Sequence, residues 1–167
     1  MKTNKAFDEL CTPDHVVRTI LEYLPEETAV WCPFDTLDSE FVKVICEHKP
    51  VAYSHISFDQ DFFEYEPEHW EIMISKPPFS EIDKVIERAL EFEKPFALLV
   101  PADCLEDEKI EVLMQEHDLE PLNIKKKVKF LDNEGNSVAK SACYCSFLCH
   151  DLLPDQISRR EAAEDQN

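Results

Sequence analysis

The sequence predicts an α/β fold built on a mostly parallel sheet, and three observations predict it. Short apolar runs alternate with amphipathic stretches of helical spacing from about residue 13 to residue 116, the pattern of strand–helix–strand crossovers. The run Ile72-Met73-Ile74-Ser75 shows no polar alternation, as a strand buried on both faces would not, and two prolines follow it at Pro77 and Pro78. Beyond Leu119 the pattern changes to two extended runs around Asp132-Asn133-Glu134-Gly135-Asn136, which is hairpin turn chemistry.

Residues 1–10 are mixed and polar and read as a lead-in, to be ordered against a partner. Thr12-Pro13-Asp14 is a helix start, with Thr12 as N-cap and Pro13 at the first helical position. Val16, Val17, Ile20, Leu21 and Leu24 then recur at helical spacing, so a helix is expected from Pro13 to Tyr23, ending before Pro25. Thr28–Cys32 reads as the first strand, Ser39–His48 as a helix and Val51–His55 as the second strand. Phe58–Phe63 reads as part of a third strand and Glu71–Ser75 as the fourth. Ser80 is placed to cap a helix over 81–93, with Ile82, Val85, Ile86 and Leu90 as its apolar stripe. Phe96–Val100 is the fifth strand, stopped by Pro101, and Asp107–Glu116 a further helix. Leu122–Phe130 and Ala139–Leu148 complete the sheet as the closing hairpin. The domain is expected over 11–154, with 155–167 an acidic tail, exposed or disordered.

The stretch that organises the rest is Ser75-Lys76-Pro77-Pro78-Phe79. Neither proline can donate to a ladder, so the strand must end at Lys76, and each proline pushes its predecessor towards extended geometry. The result is a stiff elbow at the carboxyl end of a central strand, the edge at which open α/β sheets collect ligands. A pocket is expected there, lined by Pro33, Phe34, Asp35, Asp61, Phe62, Lys76, Pro77 and Phe79.

Ser-Lys-Pro-Pro-Phe resembles the (Asn/Asp/Ser)-Pro-Pro-(aromatic) motif of S-adenosylmethionine-dependent amino-methyltransferases. With Thr12-Pro13, Trp31-Cys32-Pro33-Phe34-Asp35, Asp61-Phe62-Phe63 and Lys94-Pro95-Phe96-Ala97-Leu98-Leu99-Val100-Pro101, the chain resembles the phage-encoded adenine-specific methyltransferases over roughly residues 10–154. The resemblance implies a class I methyltransferase-like (Rossmann-like) sheet of seven strands, helices on both faces and a C-terminal antiparallel hairpin. It implies S-adenosylmethionine as cofactor, with no metal, and the exocyclic amine of adenine in nucleic acid as acceptor. Lys76, Pro77, Pro78 and Phe79 would be the catalytic elbow, Phe79 stacking the flipped base. Thr12, Pro33, Phe34, Asp35, Asp38, Asp61 and Phe62 would hold the donor: Thr12 near its methionine end, Asp35 and Asp38 at its amino group or sulfonium, Asp61 and Phe62 at its adenine.

The departure from the motif is Lys76, which stands where the family has an acceptor, usually Asn or Asp. An ammonium has three donors and no acceptor. At about 5 Å from a sulfonium it would be repelled by about 3 kcal/mol at an effective dielectric of 20. A pKa lowered far enough to leave a neutral amine would remove both objections. His55 or Ile56 also stands where many superfamily members place a ribose-binding acid.

Composition bounds the alternatives. The chain has 167 residues, enough for one domain with a sizeable core. Gly135 is its only glycine, which excludes a glycine-rich phosphate loop and leaves the turn after the first strand to Pro33-Phe34-Asp35-Thr36. Seven cysteines in an expected cytoplasmic setting read as free thiols acting as small hydrophobes; Cys143 and Cys145 share one strand face and lack a Cys-x-x-Cys partner. No signal peptide or membrane-spanning run is read, so no membrane partner is expected.

Asp and Glu number 36 against 17 Lys and Arg, a net charge of −19. That average field repels nucleic acid unless the patch Lys125-Lys126-Lys127-Val128-Lys129 compensates locally. Two functions therefore stay open: methyl transfer to adenine in nucleic acid, or a catalytically inactive acidic binding protein of the phage type. The second would imitate nucleic acid on the basic surface of a host nuclease or defence complex.

Overall fold

Six strands and five helices occupy the described residues, 5–166, of this computed structural model. The expected lead-in and tail fall partly outside that range, at 1–4 and 167. In chain order the elements are α1 (Asp14–Leu21), β1 (Val30–Cys32), α2 (Glu40–Cys46), β2 (Val51–Tyr53), β3 (Ile72–Ser75), α3 (Ile82–Glu91), β4 (Phe96–Pro101), α4 (Glu108–His117), β5 (Glu120–Asn123), β6 (Cys145–His150) and α5 (Pro154–Glu164). Short 3-10 turns at Lys5–Phe7, Ile56–Phe58, Ala102–Glu106 and Ala139–Ser141 link them.

The sheet order is β2-β1-β3-β4-β6-β5. β2, β1, β3 and β4 are mutually parallel, while β6 runs antiparallel to both β4 and β5. Every residue of β1 and β3 is buried, which requires cover on both faces of the sheet and explains their unbroken apolar sequence. Trp31 in β1 is fully buried in a cage of Phe62, Trp70 and Phe92, with ring centroids 5.7, 5.0 and 5.5 Å away.

Three expectations need correction. The sheet has six strands among the described residues, not seven. The missing one is the third-strand segment at 58–63: His55 caps the 3-10 turn Ile56–Phe58 by accepting from the Ser57 N–H, and Asp59 adopts a left-handed φ of 61°. A chain that turns there cannot enter a ladder.

The second correction concerns the closing pair. It is shorter than expected, at 120–123 and 145–150, because residues 124–144 detach from the sheet. The Phe130 N–H donates to the Ser141 hydroxyl (2.8 Å) and its carbonyl accepts from the Val138 N–H (2.9 Å), while Leu131 pairs with Cys11 (2.8 Å in each direction). The third is Thr12, which caps nothing. Pro13 takes the N-cap place of α1 with no side-chain bond, so the Thr12 hydroxyl is left buried.

α5 covers much of the expected tail. Buried Gln156 ties it down, donating to the Asp118 and Cys149 carbonyls (2.7 and 2.8 Å) and accepting from the Leu152 and Leu153 N–H groups (3.1 and 3.0 Å).

Candidate functional site

The carboxyl ends of β1 and β3 lie side by side, since the two strands pair in parallel register through Val30–Ile72 and Trp31–Met73. Past β1 the chain turns through Pro33 and Phe34 to Asp35, whose N–H still bonds the Ser54 carbonyl (3.0 Å) at the end of β2. Asp35 is buried, and its carboxylate is shared between both loops. One oxygen accepts from Ser39, the N-cap of α2, and the other accepts from Ser75, the last residue of β3, at 2.6 Å. Burial pushes the Asp35 carboxyl above the usual range, while the two serine bonds and the Lys76 charge pull it back. Asp38 stays exposed and leaves the capping of α2 to Ser39.

One residue past Ser75, Lys76 is 9% exposed. Its ammonium donates to the Phe7 carbonyl (2.8 Å) and reaches the Asp8 carbonyl (3.5 Å). It also lies over the rings of Phe79 (5.0 Å to centroid) and Phe130 (5.8 Å). Burial pulls the Lys76 pKa below its ordinary value, against the opposing charges of Asp8 and Asp35. Pro77 is buried and Pro78 half-buried. Phe79, expected to project, is 4% exposed, because Phe7 stacks on it (5.8 Å, 24° between planes) and Phe130 meets it edge-on (5.8 Å).

The segment that covers the elbow is therefore the chain's own residues 7–10. Ser80 does not cap α3, whose N-cap is Glu81. Its hydroxyl and N–H instead bond the Asp8 carboxylate, at 2.5 and 3.4 Å. Sequence reasoning missed Phe7, Asp8 and Phe130. The available signals were an aromatic residue in a polar lead-in, and the alternation of Val128 and Phe130 with lysines.

The expected pocket residues fall into two groups. Pro33, Phe34, Asp35, Lys76, Pro77 and Phe79 gather at the β1–β3 edge. Phe62 packs on Phe34 (4.8 Å) but is buried in the Trp31 cage, and Asp61 accepts from the Phe63 N–H (3.0 Å) to hold a turn. An open groove of about 510 Å³ lies elsewhere, lined by Leu105, Glu106, Glu111, Met114, Gln115 and Leu119. Thr12 is 4% exposed and its hydroxyl has no partner. The neighbouring Cys11 lies close enough to Lys76 and Asp35 for their charges to act on its thiol, so Thr12 is beside the same edge. A buried hydroxyl without a partner is uncommon away from ligand or water sites.

No helix among the described residues is long and apolar enough to cross a membrane. No protein-family model matches the chain, and no curated protein matches it. Among solved structures it is similar to a protein-(glutamine-N5) methyltransferase (release factor-specific) from Alicyclobacillus acidocaldarius subsp. acidocaldarius, at 12% identity over 83% of this chain and 92% of that chain, with a TM-score of 0.42.

Proposed function

We propose that this chain is an S-adenosylmethionine-dependent, methyltransferase-like protein acting on the exocyclic amine of adenine in nucleic acid, held closed by its own residues 7–10. The observation that carries this reading is the 2.6 Å bond from Ser75 to Asp35. It fastens the loop after β1, where the resemblance puts the donor, to the elbow after β3, where it puts the acceptor. The sheet supports the same reading, since a class I methyltransferase sheet also closes on an antiparallel pair.

The residues at the edge fit the donor in two respects. The unpartnered Thr12 hydroxyl offers a buried polar contact, and Asp38 is exposed to take a positive group. The donor, when bound, supplies the methyl group. Lys76 then matters through its charge state. Burial lowers its pKa, and a neutral amine has the lone pair that an ammonium lacks, so it can accept a hydrogen from the adenine amine without repelling a sulfonium. Phe79, once Phe7 has left it, offers its ring face to a flipped base. Catalysis of this kind is positioning and exclusion of water.

The second reading, an inactive acidic binding protein, is favoured by one observation: Phe7 fills the face of Phe79 that a base would need. Calorimetric titration with S-adenosylmethionine, and tritiated-methyl incorporation into unmethylated DNA, separate the two. Donor binding with incorporation is expected, both larger for Phe7→Ala than for wild type. Absence of donor binding in both proteins would sink the enzyme reading and leave the binding protein.

A further inference from the structure

We infer that the outward face of residues 125–144 is a contact surface for single-stranded nucleic acid. This deepens the reading above by naming the surface that would hold the substrate strand, and it is tested without the methyl donor.

Residues 125–144 carry five lysines against Asp132 and Glu134, so this stretch is +3 while the rest of the chain is −22. Lys125, Lys126, Lys127, Lys129 and Lys140 are all exposed, and none is in an ion pair among the described residues. Asp132 is turned away from them, accepting the Glu134 and Asn136 N–H groups (both 2.9 Å) in its own turn, and Asn136 also reaches Glu134 (3.4 Å). A further carboxylate, Asp103, is close enough to act on the Cys143 thiol together with Lys127.

Geometry then puts these charges on one face. Val128 and Cys143 exchange both backbone bonds (2.8 and 3.1 Å), which makes them directly opposed residues of an antiparallel pair. Val128 and Phe130 are fully buried, so Lys127 and Lys129 must face outward. Tyr144 stands opposite Lys127, whose ammonium lies 5.4 Å from its ring centroid, and 56% of Tyr144 is exposed. Cations along an extended segment with an exposed aromatic ring are the components of a strand-tracking surface: phosphates on the lysines, a base on the ring. An acidic peptide would use the charges but not the ring.

The surface is also placed next to the site. Phe130 follows Lys129 directly, and its ring walls the elbow against Phe79 and Lys76. A strand lying on Lys127 and Lys129 would run along the outer face of the segment whose inner face, through Phe130, walls the elbow.

The test is fluorescence anisotropy of labelled single-stranded DNA and RNA of about 20 nucleotides with the full chain, at about 50 and 200 mM salt. Three proteins are compared. The first is wild type; the second is Lys125→Gln with Lys127→Gln and Lys129→Gln. The third is Lys43→Gln with Lys84→Gln and Lys109→Gln, which has the same net charge as the second. Wild type should bind, and the first triple should lose about tenfold or more at low salt with a salt slope smaller by about 2. The second triple should stay within about twofold of wild type. Tyr144→Ala should lose about fivefold or more.

Equal losses in both triples would reduce the effect to net charge and overturn the inference. No binding of either strand by wild type would also overturn it. Displacement of the strand by polyglutamate at equal charge concentration would overturn it in favour of an acidic protein partner. If donor binding fails while strand binding holds, only the enzyme reading falls; if strand binding fails while donor binding holds, only this inference does.

Discussion

Lys76 is the residue on which the two functions divide, and its surroundings set its pH dependence. Its folded pKa lies below the ordinary 10.5, chiefly through burial. Between those two values the unfolded chain binds more protons than the folded one, so stability contributed by this site rises with pH across that window. Urea unfolding at stepped pH should show that rise in wild type and not in Lys76→Met. Methyl transfer should climb over the same window, because only the neutral amine accepts a hydrogen bond. Lys76→Arg, which cannot lose its proton, should abolish transfer, and Lys76→Asn should raise it with a flatter pH profile. High activity in Lys76→Arg would overturn the neutral-amine role.

Phe7 offers the other residue-level test. It is half-buried, stacked on Phe79 and edge-on to Phe130 at 6.0 Å. Phe7→Ala should cost about 2 kcal/mol in urea unfolding, less than a fully buried phenylalanine would. It should also open Lys76 to reagents, read by the rate of chemical modification of the amine at one fixed pH. An unreactive Lys76 in Phe7→Ala would show that the lead-in does not control the site.

At the scale of elements, a chain with one glycine must end its helices by other means. Glu93 follows α3 at φ 55° and Asp118 follows α4 at φ 53°, both left-handed positions that glycine takes without strain. Asp118 gains something in return, because Arg159 of α5 pairs with its carboxylate at 3.0 Å. Glu93→Gly should therefore stabilise the protein by about 0.5–1 kcal/mol, whereas Asp118→Gly should gain less or lose. Gln156 works the other way: Gln156→Ala would strip four bonds from buried or part-buried backbone groups of Asp118, Cys149, Leu152 and Leu153, at the ends of α4 and β6 and the start of α5. A loss of about 2–4 kcal/mol is expected in urea unfolding.

For the whole molecule, the dominant electrostatic fact is the net charge of −19. Self-repulsion of that size works against the compact state and is screened by salt. The melting temperature at neutral pH should rise by a few degrees between about 20 and 300 mM sodium chloride. An unchanged or falling value would mean that the exposed pairs, such as Lys109 with Asp83 and Glu87, outweigh the repulsion.

The strand–helix alternation, the central place of Ile72–Ser75 and the stop at Lys76 were legible in the sequence. Each follows from local rules: apolar runs for doubly buried strands, prolines that cannot donate, helical spacing of aliphatic residues. The meeting of Asp35 with Ser75 was legible only as a shared edge, because a parallel sheet brings those strand ends together without stating which atoms bond. What the tertiary structure alone decided is the state of the elbow. Phe7 and Asp8 lie about seventy residues from Lys76 in the chain, and contacts of that separation leave no periodic trace. The same holds for Phe130, which reaches Phe79 only because residues 124–144 leave the sheet and fold back over its carboxyl edge. Local sequence thus determined the scaffold and the candidate residues. Long-range packing decided that the lysine is buried, its ammonium shared with backbone carbonyls, and its aromatic neighbour covered.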